Sequence, residues 1–136
     1  MMFGKSKNAK PQNRIDSLIG AGTRIDGNIR FSGGLRIDGE VHGSILVEED
    51  QSGTLVISEH ARVEGEVVVS HLMVNGMIVG PVRVKEVLEL QPCARVTGDV
   101  EYMQLEMQPG AVVQGRLIHQ AESKGADLKL AAVTRS

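Results

Sequence analysis

The sequence predicts an all-β chain folded as a single-domain parallel β-solenoid, and three observations carry that prediction. A five-residue pattern, apolar, any, Gly, any, apolar, occurs six times between Ile25 and Leu117. Short apolar, any, apolar units run in phase with it. Aromatic residues are almost absent, with no Trp, one Tyr and two Phe in 136 residues. A short unit that recurs in this way implies an architecture built by stacking, with each turn burying its apolar face against its neighbours.

The copies of the pattern are Ile25-Asp26-Gly27-Asn28-Ile29, Val41-His42-Gly43-Ser44-Ile45, Val63-Glu64-Gly65-Glu66-Val67, Ile78-Val79-Gly80-Pro81-Val82, Val96-Thr97-Gly98-Asp99-Val100 and Val113-Gln114-Gly115-Arg116-Leu117. Their glycines are 16, 22, 15, 18 and 17 residues apart. A period near 17 residues is shorter than a helical repeat or a propeller blade and suits one turn of a parallel β-solenoid. The glycines read as bends where a Cβ would clash or where φ must be positive. They are not a phosphate cradle, since no glycine-rich loop opens a helix and no Gly-Lys-Ser or Gly-Lys-Thr occurs.

The second unit is Leu35-Arg36-Ile37, Leu55-Val56-Ile57, Leu72-Met73-Val74, Leu88-Glu89-Leu90 and Leu105-Glu106-Met107. Successive side chains of a strand point to opposite faces, so each unit puts an aliphatic pair inside and one residue outside. Every turn therefore supplies at least two short strands to one core. Ala61, Ala94 and Ala111 each lie four residues before a repeat glycine, as small residues would at a stacked tight corner. An interior without Trp must be filled by Val, Ile, Leu and Met, which stacked aliphatic rows can do.

Three residues before each repeat glycine stand Arg24, Glu40, Arg62, Met77, Arg95 and Val112. In-register turns would stack the first three about 4.8 Å apart with alternating sign, a solvated ladder rather than a binding site.

Domain organisation follows charge. Residues 1–14 hold Lys5, Lys7, Lys10 and Arg14 and no acid, whereas residues 15–118 hold 8 basic and 15 acidic residues, a net of −7. An acidic body argues against nucleic acid as a partner, because phosphate contacts need Lys and Arg on a shared face. The basic segment begins Met1-Met2-Phe3-Gly4 and reads as a disordered membrane-targeting tail, in which Met1, Met2 and Phe3 insert while Lys5, Lys7 and Lys10 meet anionic lipid. Such an anchor is weak in one copy and strong in a polymer. Residues 119–136 are polar and mixed and read as a disordered C-terminal tail, leaving residues 15–118 as the β-helix. The acidic excursion Glu48 to Gly53, which stretches one interval to 22 residues, reads as a tolerated surface loop.

The single cysteine, Cys93, allows no internal disulfide, and no apolar run has signal-peptide or membrane-spanning length. Both point to a reducing, cytoplasmic setting. Cys93 lies between Pro92 and Ala94 at an expected corner and reads as a structural small residue.

A solenoid ends on strands with unpaired backbone groups and an exposed apolar row, which normally demands a cap. No convincing cap is found. The first turn is expected to present Leu18, Ile19, Ile25, Ile29 and Phe31, and the last Leu105, Met107, Val113, Leu117 and Ile118. Stacking end on end satisfies both and yields a filament.

The segments Ile25-Asp26-Gly27, Val74-Asn75-Gly76 and Val96-Thr97-Gly98-Asp99, with the Met2-Phe3-Gly4-Lys5 start, resemble the bactofilins, bacterial cytoskeletal proteins. That resemblance implies a right-handed, three-faced β-helix of about six triangular turns. It also implies nucleotide-independent, non-polar filaments on the inner face of the cytoplasmic membrane, with roles in cell shape and in placing peptidoglycan-modifying enzymes.

Two other classes compete. Left-handed β-helix acyltransferases and related carbonic anhydrases need strict six-residue steps, which intervals of 15 to 22 residues do not supply. His42, His60, His71 and His119 fall at different registers and read as surface residues, so no metal site, cofactor or catalytic set is expected. The other alternative is a monomeric or small-oligomeric solenoid that displays its faces to a partner.

Overall fold

The computed structural model describes residues 15–120. Sixteen strands follow one another among them: β1 (Ser17–Ile19), β2 (Arg24–Asp26), β3 (Ile29–Phe31), β4 (Gly33–Ile37), β5 (Glu40–His42), β6 (Ile45–Val47), β7 (Gly53–Ile57), β8 (Arg62–Glu64), β9 (Val67–Val74), β10 (Met77–Val79), β11 (Val82–Leu90), β12 (Arg95–Thr97), β13 (Val100–Tyr102), β14 (Gln104–Met107), β15 (Val112–Gln114) and β16 (Leu117–His119). Every pairing is parallel, and strands bond to strands of the turns before and after them, except in the first and last turns, where each has one such neighbour. The expected all-β solenoid of about six turns is what the chain forms.

Three faces make up each turn. One is the six-stranded sheet β2, β5, β8, β10, β12, β15, which carries the apolar residue before each repeat glycine. A second is formed by β3, β6, the first half of β9, the first half of β11, β13 and β16. The third is formed by β1, β4, β7, the remaining halves of β9 and β11, and β14. Because β9 and β11 run without interruption around the edge between the second and third faces, those two faces are one ten-stranded sheet.

Alternation puts the aliphatics inside in continuous columns. Ile25, Val41, Val63, Ile78, Val96 and Val113 stack on the first face. Leu35, Leu55, Leu72, Leu88 and Leu105 stack on the third, beside Ile19, Ile37, Ile57, Val74, Leu90 and Met107. In the middle turns Ile37, Leu55, Ile57, Ile78, Leu88 and Leu90 are completely buried. Each such side chain contributes about 1.5–3 kcal/mol through removal from water.

The uneven glycine spacing has a simple origin. The shortest interval, 15 residues from Gly65 to Gly80, places one residue, Ser70, at the edge between the second and third faces and two, Asn75 and Gly76, at the next corner. Longer turns add residues only at these two sites. The corner grows to four residues at Ser58–Ala61, Gln91–Ala94 and Gln108–Ala111, where the alanine amide donates to the first residue's carbonyl at 2.9, 2.9 and 3.2 Å. The edge gains a bulge at Lys85 and Glu86, and the 48–52 loop in the 22-residue interval. Short corners nest against long ones: a Cβ on Gly76 would strike the Ser58 carbonyl oxygen. Ala61 and Ala94 are buried at the long corners.

Polar side chains tie one turn to the next. Amides of Gly34, Ser44, Cys93 and Arg116 donate to Asp16, Asn28, Asn75 and Asp99 at 2.9, 2.9, 3.0 and 3.0 Å. The buried Ser70 hydroxyl accepts from the Gly53 amide at 3.2 Å.

Candidate functional site

The two ends of the described solenoid are open. At the first turn, β1, β2 and β3 are bonded on one side only, to β4, β5 and β6; at the last, β14, β15 and β16 are bonded only to β11, β12 and β13. Parallel strands alternate their backbone groups between two neighbours, so each end presents a row of donors and acceptors that no other described strand pairs.

Side chains of the inward columns stand beside those rows. Ile19, Ile25, Ile29 and Phe31 are half-buried against the core at the first turn, as are Leu105 and Val113 at the last. Met107 and Leu117 end their columns 44% and 41% exposed, although Leu90 and Val100 one turn below are fully covered. Two of the expected end residues stand in the terminal strands but face outward. Leu18 pairs with Arg36, and Ile118 with Glu101, so both belong to outward columns. Leu18 is 59% exposed on the flank of the first turn.

One residue was missed. His119 is exposed, as the sequence reading has it, but it belongs to β16 rather than to the tail and pairs with Tyr102 in an inward column. Strand β16 runs one residue past the expected boundary, and the Gln120 amide still donates to the Tyr102 carbonyl at 2.6 Å. The signal was available in the two-residue step from Leu117, which places His119 on the same side of a strand.

The outward charges form a checkerboard. Arg24, Glu40 and Arg62 stack in register as the spacing predicts, and Asp26, His42 and Glu64 stack beside them. Pairing runs along strands as well as across them: Arg24 contacts Asp26 at 3.2 Å, Arg62 contacts Glu64 at 2.6 Å, and His42 approaches Glu40 at 3.6 Å and Glu64 at 3.4 Å. Hydrogen bonding from Arg62 holds the Glu64 carboxyl below the usual carboxylate range. The Arg116 guanidinium does the same for Asp99. Arg95 donates instead to the carbonyls of Ala94 and Gly110 at 3.0 and 3.1 Å.

Among the described residues no group of three His, Cys, Asp or Glu could hold a metal ion. A groove of 540 Å³ beside the Ser58 corner contains Asp38, but that carboxylate is engaged by Arg36 at 3.0 Å and by the Ser58 hydroxyl. Cys93 is exposed at its corner. The expected membrane-binding residues Met1, Met2, Phe3, Lys5, Lys7 and Lys10 lie outside the described residues, as does nearly all of the expected C-terminal tail.

Known proteins share this architecture. The chain is similar to a Thermus thermophilus bactofilin solved by cryo-EM as double helical filaments, with 32% identity and a TM-score of 0.66 over 76% of this chain and 99% of that one. It is also similar to the bactofilin BacA, whose structure was determined by solid-state NMR, with 34% identity and a TM-score of 0.69 over 80% of this chain and 100% of that one. The Myxococcus xanthus bactofilins BacP and BacO are each 26% identical, over 82% and 75% of this chain. The chain spans 45% of the length of BacP and 78% of BacO. Residues 17–118, the solenoid itself, match the family model described as bactofilin, polymer-forming cytoskeletal, and the chain belongs to that family.

Proposed function

We propose that this protein is a cytoskeletal scaffold whose copies join end to end, without nucleotide, into non-polar filaments. The observation that carries this reading is the pair of ends that no described residue caps, where aliphatic columns and backbone edges terminate together at Met107 and Leu117 on one side and at Ile19 and Ile25 on the other. Covering one end with another removes apolar area from water and pairs strand edges that would otherwise invite uncontrolled association.

The filaments lie on the inner face of the cytoplasmic membrane, held by Met1, Met2 and Phe3 with Lys5, Lys7 and Lys10. Each Lys near an anionic surface is worth about 1 kcal/mol, so one tail holds weakly and an aligned row of tails holds firmly. A fixed polymer presenting identical faces at a regular repeat can position cell-wall-modifying proteins and so help to set cell shape. That part rests on family resemblance.

Negative-stain electron microscopy of the purified protein without nucleotide or divalent metal tests the core of the reading. Long uniform filaments are expected. A stable monomer would point instead to a solenoid binding module.

A further inference from the structure

The last turn ends one of its inward columns on a side chain of different chemistry. On the second face Phe31 pairs with Val47, Val69 with Val84 and Tyr102 with His119, so His119 holds in the last turn the strand position that these residues hold below it. Its ring lies 5.7 Å from that of Tyr102 at 45°, and Nε2 is 3.0 Å from the Met103 carbonyl oxygen. A carbonyl can only accept, so Nε2 carries hydrogen in this contact. Nδ1 has no partner among the described residues and is the atom that gains or loses the proton.

Around the ring the charges are already committed. Glu101 of β13 faces outward to Arg83 at 3.2 Å and Gln120 at 2.6 Å. Arg116, ahead of β16, is held by Asp99 at 2.9 Å, and Glu106 of β14 stands on an outward column of another face. Tyr102 is the remaining titratable neighbour. No carboxylate lies within ion-pair distance of His119 among the described residues.

We propose that His119 makes joining at the C-terminal end proton-dependent. A second copy of this chain stacks over the column when the imidazole is neutral, and protonation at Nδ1 opens the joint. The inference rests on reading that end as an assembly surface. In the separate protomer His119 is exposed, and water accommodates either charge state. Stacking removes the ring from water, and among the described residues of its own copy no carboxylate lies within ion-pair distance to compensate, which disfavours the imidazolium. Linkage fixes the sign: burial lowers the proton affinity of the assembled state, so the joint has full strength at higher pH and weakens as pH falls. Histidine is the side chain whose charge ordinarily changes between about pH 5 and 8. The other histidines stand away from the last turn. His42 sits among Glu40 and Glu64, His71 lies 3.3 Å from Glu86, and His60 is at an exposed corner.

The test is the critical concentration for pelleting of the full chain at about pH 8 and about pH 5.5, in wild type, His119→Phe and His119→Gln. Wild type should rise several-fold at the lower pH, because the assembled state binds the proton less tightly than the separate protomer. Both substitutions should hold the change under about twofold, with circular dichroism checking that each folds. A wild type indifferent to pH, or a folded variant that follows the wild-type curve, overturns the proposal. Leu117→Arg separates the two ideas. Assembly untouched by that change removes the C-terminal joint itself, whereas assembly lost in Leu117→Arg but still pH-responsive in the His119 variants removes only the proton dependence.

Discussion

Arg62 Nε lies 2.6 Å from Glu64 Oε2, two residues along one strand, while Glu40, its register partner in the preceding turn, stands beside His42. The pair lowers the Glu64 proton affinity chiefly through the Arg62 hydrogen bond, with a smaller opposing contribution from desolvation. A carboxyl whose folded pKa is depressed stabilises the fold above its unfolded pKa and loses that contribution as pH falls through the folded value. Arg62→Ala should therefore raise the Glu64 pKa, read by carboxyl NMR titration, and its stability deficit should be present at neutral pH and disappear in acid. An unmoved Glu64 titration would mean that the guanidinium is solvated.

Gly65 adopts φ 151°, and a Cβ there would run into the Gly43 carbonyl of the turn below. Strain of this kind costs about 1–3 kcal/mol before any displacement of the stack. Gly65→Ala should lower the thermal unfolding midpoint clearly. Gly22→Ala, where the added carbon meets nothing within 4 Å, should stay within about 0.5 kcal/mol of wild type. Equal behaviour of the two would remove the stacking argument.

Ile57 is fully buried in the third turn, whereas Ile25 is half-buried at the open end. Truncation at Ile57 leaves a cavity closed on all sides and should cost about 2–5 kcal/mol of protomer stability. Ile25→Ala should cost the protomer less and weaken assembly more. Denaturant unfolding in an assembly-blocked background, set against the pelleting threshold, reads the two effects apart.

Leu117 ends its column 41% exposed above the fully covered Val100. An arginine at that position would carry a charge into the joint, at a cost of several kcal/mol, about 3–5 for an unpaired buried charge. Leu117→Arg should leave short species in electron micrographs and sizing columns. Unchanged filament length would take Leu117 out of the contact.

Removal of residues 1–10 takes away Met1, Met2, Phe3 and three lysines. The truncated protein should polymerise normally and fail to pellet with anionic liposomes. Co-pelleting that survives the truncation would assign attachment to the solenoid.

Much of the architecture was readable in advance because it is periodic. Alternation within Leu55-Val56-Ile57 identifies which pair is inside, and the Gly-centred pattern aligns Arg24 with Glu40 and Arg62. Ala61 and Ala94 sit at corners as expected, but that these are the long corners, and that short ones carry Gly39 and Gly76, where a Cβ would strike the carbonyl oxygens of Thr23 and Ser58, was not read. A corner's length matters only relative to the corner stacked against it. The fusion of two faces through β9 and β11 was equally hidden, since nothing in Val69-Ser70-His71 says that hydrogen bonding continues around the edge.

The ends show where sequence stops being sufficient. By itself the sequence determined a stack of short strands with aliphatic interiors, because a strand's period of two and a repeat near 17 residues are properties of the local chain. Only the tertiary structure decided that Leu18 and Ile118 face outward while His119 closes an inward column. A middle turn is held in phase by neighbours on both sides. A terminal strand of three residues takes its phase from a single partner many residues away, and that partner is chosen by backbone hydrogen bonding rather than by the strand's own apolar pattern.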